Sequence, residues 1–359
     1  MLRYLLEENL MKRILVIAVL IIAASPIALG QKKKVGMRGS AEPQRSNIYR
    51  IEELSAPQID ALNRDKTLLI LPIGMLEQHG PHLPIGSDSF WVSYSVAEVS
   101  KRVGESLPDW NIVLMPAVNY GEGGANEIGN IQVHPGTYGI RQTTLRSIVA
   151  DVGGQLAQNR FKWIFVIHGH GAPNHNIAIS EACDFISETF KITMLNLQSM
   201  ANADAAMAAR AQQIAVRHYS PAELASFGID IHAGLSETSE VLAIQPKLVN
   251  EVYKTLPSRT GKSIEELRQL ALSPGWQGYF SSPAKAKASY GKESSEAWVE
   301  GLSSFIMRAV QGENLFNHPR YPDQLLNDPA IIQINKDEMA HEKAFEMKLE
   351  QWLKGRKQK

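Results

Sequence analysis

Within twelve residues, Glu77-Gln78-His79-Gly80-Pro81-His82-Leu83-Pro84-Ile85-Gly86-Ser87-Asp88 sets two carboxylates and two imidazoles directly after an apolar run, residues 67–73, that ends at Gly74. Carboxylate oxygen with imidazole nitrogen is a donor set that suits Zn, Mn or Fe(II) better than Ca or Mg. A buried strand that ends in glycine and is followed at once by such side chains has the layout of a metal site. The strand fixes the backbone, and the loop aims the ligands into a cleft at the carboxyl edge of a sheet.

Three further islands sit where a predicted strand ends or a loop starts. Residues 121–137 form a glycine-rich loop containing His134, Pro135, Gly136 and Thr137. His168-Gly169-His170-Gly171-Ala172-Pro173-Asn174-His175 follows another apolar run, and residues 230–239 carry His232, Glu237, Thr238 and Ser239. Seven of the ten histidines fall in the four islands, whereas surface histidines would scatter. Imidazole both ligates metals and titrates near neutrality, so the clustering predicts a metal-and-base site. The His-Gly-His-Gly turn lacks the Lys and Ser/Thr of a phosphate-binding loop.

The elements that must position these groups alternate. Continuous apolar runs at 68–73, 112–118, 163–168 and 192–197 predict strands covered on both faces, and helix-length segments at 88–103, 141–159, 175–190 and 201–217 lie between or after them. Strand then helix, repeated, predicts a parallel sheet with helices on both sides. Further helices are predicted at 263–272 and 293–310. The pair Thr238-Ser239, after Glu237, reads as a helix start. The charged tail, 335–359, reads as a peripheral helix of no catalytic importance.

Composition narrows the function classes. With 44% apolar and 21% charged residues the chain is an ordinary globular protein, and a formal net charge of zero supplies no basic field for nucleic acid or an anionic membrane. A small-molecule substrate fits better. Met11-Lys12-Arg13, an apolar stretch over 14–24 and Ala28-Leu29-Gly30 read as a signal peptide, so export to the periplasm or medium is expected, with no stable membrane insertion after cleavage. The expected organisation is a signal peptide at 1–30, a flexible lead-in at 31–50, a catalytic domain at 51–315 and a helical extension at 316–359. The single cysteine, Cys183, lies in an apolar-periodic segment and reads as a small buried hydrophobe.

The islands resemble the creatininase family of metal-dependent amidohydrolases. That family is marked by a Glu-x-His-Gly-x-His-Leu-Pro-x-x-x-Asp run, a Pro-Gly-Thr loop, an Asn-Gly-His-Gly-Gly-Asn turn and a His-Ala-Gly-x-x-Glu-Thr-Ser segment. Here they stand, in the same order, at Glu77 to Asp88, Pro135 to Thr137, His168 to Asn174 and His232 to Ser239. The resemblance implies a three-layer α/β/α fold with a mostly parallel central sheet, assembled as a homo-oligomer, often a hexamer. It also implies a pair of divalent metal ions (Zn, Mn or Fe) that activate a bridging water. Carried over by position, Glu77 and His170 are expected at ligand positions for one metal, His79 for the other, and Asp88 at the bridging carboxylate. His232 is expected to act as base or proton shuttle, with Glu237 beside it. His82, His134, Thr137, His168 and Asn174 are expected to contact substrate.

The chain also departs from the pattern. Creatinine-hydrolysing members carry Glu two residues beyond the histidine at 170, where this chain has Ala172; that argues against creatinine itself. His168 stands where Asn is usual, and the second island lacks the familiar acidic-His pair. The expected reaction is hydrolysis of a C–N bond in a small amide or cyclic amide. The alternatives are an esterase, lactonase or small peptidase on the same fold, and a non-catalytic periplasmic binding protein.

Overall fold

Every residue from Thr67 to Ile73 is buried, as an apolar run without polar alternation requires. The computed structural model describes residues 47–128, 134–325 and 327–357. The expected signal peptide and the lead-in as far as residue 46 lie outside the described residues.

Five strands form one parallel sheet: β1 (Ile48–Arg50), β2 (Thr67–Ile73), β3 (Asn111–Leu114), β4 (Trp163–His168) and β5 (Thr193–Asn196). Their spatial order is β1-β3-β2-β4-β5. β2 is central, in register with Asn111 to Leu114 on one side and with Trp163 to His168 on the other. The helices that shape the site are α1 (Ser87–Ser106), α2 (Gln142–Gln158), α3 (Pro173–Phe190), α4 (Leu197–Ala203), α5 (Leu235–Ile244), α6 (Ala288–Val310) and α7 (Pro329–Lys357).

Strand periodicity sorts the core into two layers. Leu68, Ile70, Phe165 and Ile167 point to one face, where they meet Val96 and Val99 of α1 and Leu302 and Phe305 of α6. Leu69, Leu71, Ile73, Ile164 and Val166 point to the other, against Leu145 and Val149 of α2 and Ile179 and Ile186 of α3. Each fully buried aliphatic side chain contributes roughly 1.5–3 kcal/mol, so the two faces anchor the sheet between helices. The result is the expected three-layer α/β/α architecture. Cys183 belongs to the second layer and is buried.

The strand order creates the cleft. After β2 the chain passes through α1 to β3 on one side, and after β4 it passes through α3 to β5 on the other. The loops leaving two adjacent strand ends therefore diverge, and the crevice between them is where ligands bind in open parallel sheets. Ile73 and His168 pair at the ends of β2 and β4, so the first and third islands emerge at one level.

Several boundaries differ from expectation. A first strand at Ile48–Arg50 pairs with β3, inside the segment read as lead-in. β3 stops at Leu114 because Pro116 follows within two residues, and Val118 returns only as an isolated bridge to Ile73. The helix expected at 201–217 is two helices, α4 and Ala205–His218, because the Asp204 side chain caps the second by accepting from the Ala206 and Met207 amides at 2.9 Å. The fourth island's helix starts at Leu235 rather than at Thr238-Ser239. Its cap comes from upstream, where Asp230 Oδ2 accepts from Ser236 N at 2.8 Å.

Candidate metal centre and active-site cleft

Backbone shape delivers the ligands. Gly80 takes a positive φ of 66°, a turn between His79 and His82 that a side chain would disfavour. At Gly169 the constraint is space: a Cβ there would lie 2.6 Å from the Asp88 carbonyl oxygen. Only glycine lets the loop after β4 press against the start of α1, which brings His170 to Asp88. Ala233 holds a φ of 47°, an uncommon conformation for a residue with a Cβ, and its amide donates to Glu237 Oε2.

The acids and imidazoles converge in two trios that share Asp88. In the first, His170 Nδ1 lies 3.0 Å from Glu77 Oε2 and 3.4 Å from Asp88 Oδ2. In the second, His79 Nε2 lies 3.5 Å from both Asp88 Oδ1 and Glu237 Oε2. Both trios offer ligand atoms within 4.8 Å of one another, as does a third grouping, Glu77 with His79 and His232. Most of these separations are long for hydrogen bonds. They match the roughly 3.3 Å between ligand atoms around a tetrahedral ion with bonds near 2.0–2.1 Å. His79 Nε2 and Asp88 Oδ2 are buried without a hydrogen-bond partner. Orphaned donors converging in this way fit a pair of divalent ions, and three carboxylates supply three of the four negative charges such a pair needs.

Neighbouring groups fix the ligands' orientation. His79 Nδ1 is held by the Glu77 carbonyl oxygen at 2.9 Å, which turns Nε2 toward Asp88 and Glu237. Glu77 Oε1 accepts from the Ala125 amide at 2.5 Å, a contact from the second island.

Electrostatics follow from burial and pairing. Burial opposes the ionised form of Glu77, yet the His232 and His170 rings hold its carboxyl down at about 2. Asp88 is likewise held far below the usual carboxylate range by His170 and His79, against burial. The same pairs, again against burial, raise His79 to about 10 and His170 well above its ordinary value. Glu237 is pushed above the usual carboxylate range by burial, with Asp88 adding to it.

His232 differs: burial, only partly offset by Glu77, lowers it to about 4, so the ring is neutral at pH 7. Its Nδ1 lies 3.5 Å from Glu77 Oε1, and its Nε2 is 3.3 Å from the Gln78 amide nitrogen. Gln78, passed over in the sequence, thus sets the His232 tautomer: when the amide donates to Nε2, the proton resides on Nδ1.

Two cavities open onto this cluster. One, of about 450 Å³, is lined by Glu77, His170, His232 and Glu237 on one side and by Ile331, Ile334 and Glu338 of α7 on another. The second, of about 240 Å³, reaches Asp88, His232 and Glu237 past Trp91 and Trp298.

The five residues expected to contact substrate are not in the lining of the larger cavity. His82 Nε2 pairs with Thr238 Oγ1 at 2.9 Å, and burial lowers its pKa to about 3. His134 Nε2 donates to the Trp276 carbonyl at 2.9 Å. Thr137 Oγ1 accepts from Gln78 N at 3.2 Å. His168 is fully buried, its Nδ1 on the His170 carbonyl at 2.9 Å. Asn174 donates to Glu338 Oε2 at 3.0 Å. These side chains buttress the loops, because short connections after buried strands turn some polar groups inward. The residues that do line the cleft and escaped the sequence reading are Gln198, Asn202, Asp230 and Glu338. Asp230 alone carried a signal, since it opens the fourth island.

Comparison with known proteins agrees with this arrangement. The family model described as creatinine amidohydrolase matches residues 52–306. Creatinine amidohydrolase of Pseudomonas putida is 27% identical over 192 residues, 51% of this chain and 66% of that protein. The mycofactocin precursor peptide peptidase of Mycolicibacterium smegmatis is 30% identical over 115 residues, 32% of this chain and 44% of that protein. The chain thus spans less than two thirds of the length of either relative. A solved structure titled creatininase Mn superposes with a TM-score of 0.53 at 25% identity, over 73% of this chain and 98% of its own. With the family model matched over more than half its length and the same three-layer fold, this chain belongs to the creatininase family.

Proposed function

We propose that the protein is a metal-dependent hydrolase that cleaves the C–N bond of a small amide or cyclic amide. The observation that carries the reading is the pair of acid–imidazole trios joined by Asp88, whose Glu77, His170 and Glu237 line a cavity of about 450 Å³. The donor set accommodates Zn, Mn or Fe(II), and a relative solved with Mn supports the class. Glu77, Asp88 and His170 would hold one ion; His79, Asp88 and Glu237 would hold the other. When bound, such a pair supplies Lewis-acid polarisation of a carbonyl and water activated near neutral pH.

The chain's own groups do the rest. His232, neutral and at the cavity wall, accepts a proton at a ring nitrogen and returns it to the leaving nitrogen. Gln78 holds that ring in one tautomer. Glu237, bonded to the Ala233 amide, keeps the strained turn and the ligand cluster in register. The walls contributed by α7 and by residues 229–231 exclude water from the reacting bond.

A second reading, a small peptidase, is favoured by the apolar side of the cavity and by the peptidase relatives. A panel of primary amides, cyclic amides, dipeptides, esters and lactones, assayed with the metal-loaded protein, separates the two. The proposal expects C–N hydrolysis that a chelator abolishes and Zn or Mn restores. Chelator-insensitive turnover, or turnover of esters alone, would contradict it.

A further inference from the structure

The end of β5 brings to the cleft a side chain that neither ion trio uses. β5 stops at Asn196 and α4 follows at once, its first turn fixed where the Asn196 side chain accepts from the Ser199 amide at 3.1 Å. Leu197, Met200 and Ala201 are buried in the first core layer, which pins one face of this short helix against the protein. Gln198 and, one turn on, Asn202 share another face. Both line the larger and the smaller cavity, as do His232 and Glu237, so the seam between the cavities lies beside the ligand cluster.

Only 8% of Gln198 is exposed, and its Oε1 is buried without a hydrogen-bond partner. A buried amide oxygen left unpaired costs free energy that a donor arriving with a ligand recovers. The terminal torsion of glutamine is soft, so a rotation of the carboxamide turns this oxygen toward a donor at the seam. Among the described residues no Lys or Arg lines either cavity, so a ligand carboxylate would find no cationic side chain there. The walls on the two sides of the seam differ. Ile128, Ile264, Ile331 and Ile334 make the larger cavity aliphatic. Trp91 and Trp298, edge to face at 6.4 Å, make the smaller one aromatic. We propose that Gln198 is a substrate-binding residue that accepts the N–H of a neutral secondary amide lying at the seam, with an aliphatic substituent in the larger cavity and an aromatic one in the smaller. The proposal deepens the hydrolase reading and rests on it for the bond that reacts.

Binding tests it apart from turnover. The zinc-loaded protein is titrated calorimetrically with N-benzylisovaleramide, with its ester isostere benzyl isovalerate, which lacks the N–H, and with isovaleramide, which lacks the aromatic arm. Chromatography of each titrated sample reports cleavage separately. The wild type is expected to bind the secondary amide roughly 5- to 100-fold more tightly than the ester, because the ester leaves Oε1 unpaired. It should also bind it about 10-fold or more tightly than isovaleramide, from burial of the ring. In Gln198→Met, which keeps the length and loses the amide oxygen, the preference over the ester should vanish while the preference over isovaleramide persists. A side chain with a merely structural role would shift all three affinities together. Where thermal melting shows Q198M to be unstable, Gln198→Asn should reduce the preference over the ester several-fold. Equal affinity of the wild type for amide and ester, or an undiminished preference in the variants, overturns the role of Gln198. No gain from the benzyl group overturns the two-cavity placement. Selective binding of the secondary amide without its cleavage leaves this inference standing and defeats the hydrolase reading instead.

Discussion

At the scale of single residues, the site is a set of charges that stabilise one another until a cation replaces their protons. In the metal-free chain His79 is raised to about 10 and His170 lies well above its ordinary value, so both rings are protonated at pH 7. Metal binding must displace those protons. The sign is fixed: these groups hold protons below their raised pKa, so metal affinity should rise as pH increases from 6 toward about 10. Calorimetry at pH 7 in buffers of different ionisation heat should show at least two protons released per chain, with Glu237, raised to about 7, adding to the two imidazoles. Zero release would mean that the imidazoles are neutral before metal arrives. His232 behaves differently, since burial keeps it neutral. Changing His232→Ala should lower turnover by roughly 10²–10⁴, the usual worth of a positioned general base, and leave metal content unchanged. Its ligand atoms also group with those of Glu77 and His79, so loss of metal in this variant would identify His232 as a ligand instead.

At the scale of elements, Glu77, His79, Asp88 and His170 were legible because they follow the buried strands β2 and β4, and the reason is steric. The apolar runs of β2 and β4 could be read as doubly covered strands, and Ile73 and His168 do end at one level. What could not be read was direction. His82 shares a loop with His79, and His168 ends β4 two residues before His170, yet both turn inward, to Thr238 and to a backbone carbonyl. Which way a loop histidine points depends on contacts distant in sequence. The start of α5 was misplaced for the same reason, since its cap is Asp230, reaching back over a strained Ala233. Gly169 tests whether close approach, rather than flexibility, is what the loop requires. Gly169→Ala should lower stability by roughly 1–3 kcal/mol through overpacking against the Asp88 backbone, read as a fall in melting temperature together with weaker metal binding. An unchanged melting temperature would show that the loop relaxes freely.

At the scale of the whole molecule, the layered fold and its switch point could be anticipated from alternating strands and helices, but the role of the C-terminal helix could not. Its sequence is charged, with exposed Phe345, Leu349 and Trp352, and that pattern belongs to a solvated helix. The informative part is its first two turns, where Ile331 and Ile334 are buried against the cleft. Two buried isoleucines are too few to produce a periodic signal in a tail of this length. Removing residues 329–357 should cost roughly 3–6 kcal/mol from the lost apolar contacts, lower the melting temperature and open the cavity, while the metal ligands, all upstream, retain their ions. Loss of metal on truncation would show that α7 supports the ligand loops directly.

The proposed centre is two ion sites joined by one carboxylate, and elemental analysis of the purified, metal-reconstituted protein beside Asp88→Asn tests it most directly. Two divalent ions per wild-type chain, both lost or loosely held in the variant, is the predicted result. One ion per chain, or two that survive the loss of Asp88, would contradict the shared-carboxylate centre.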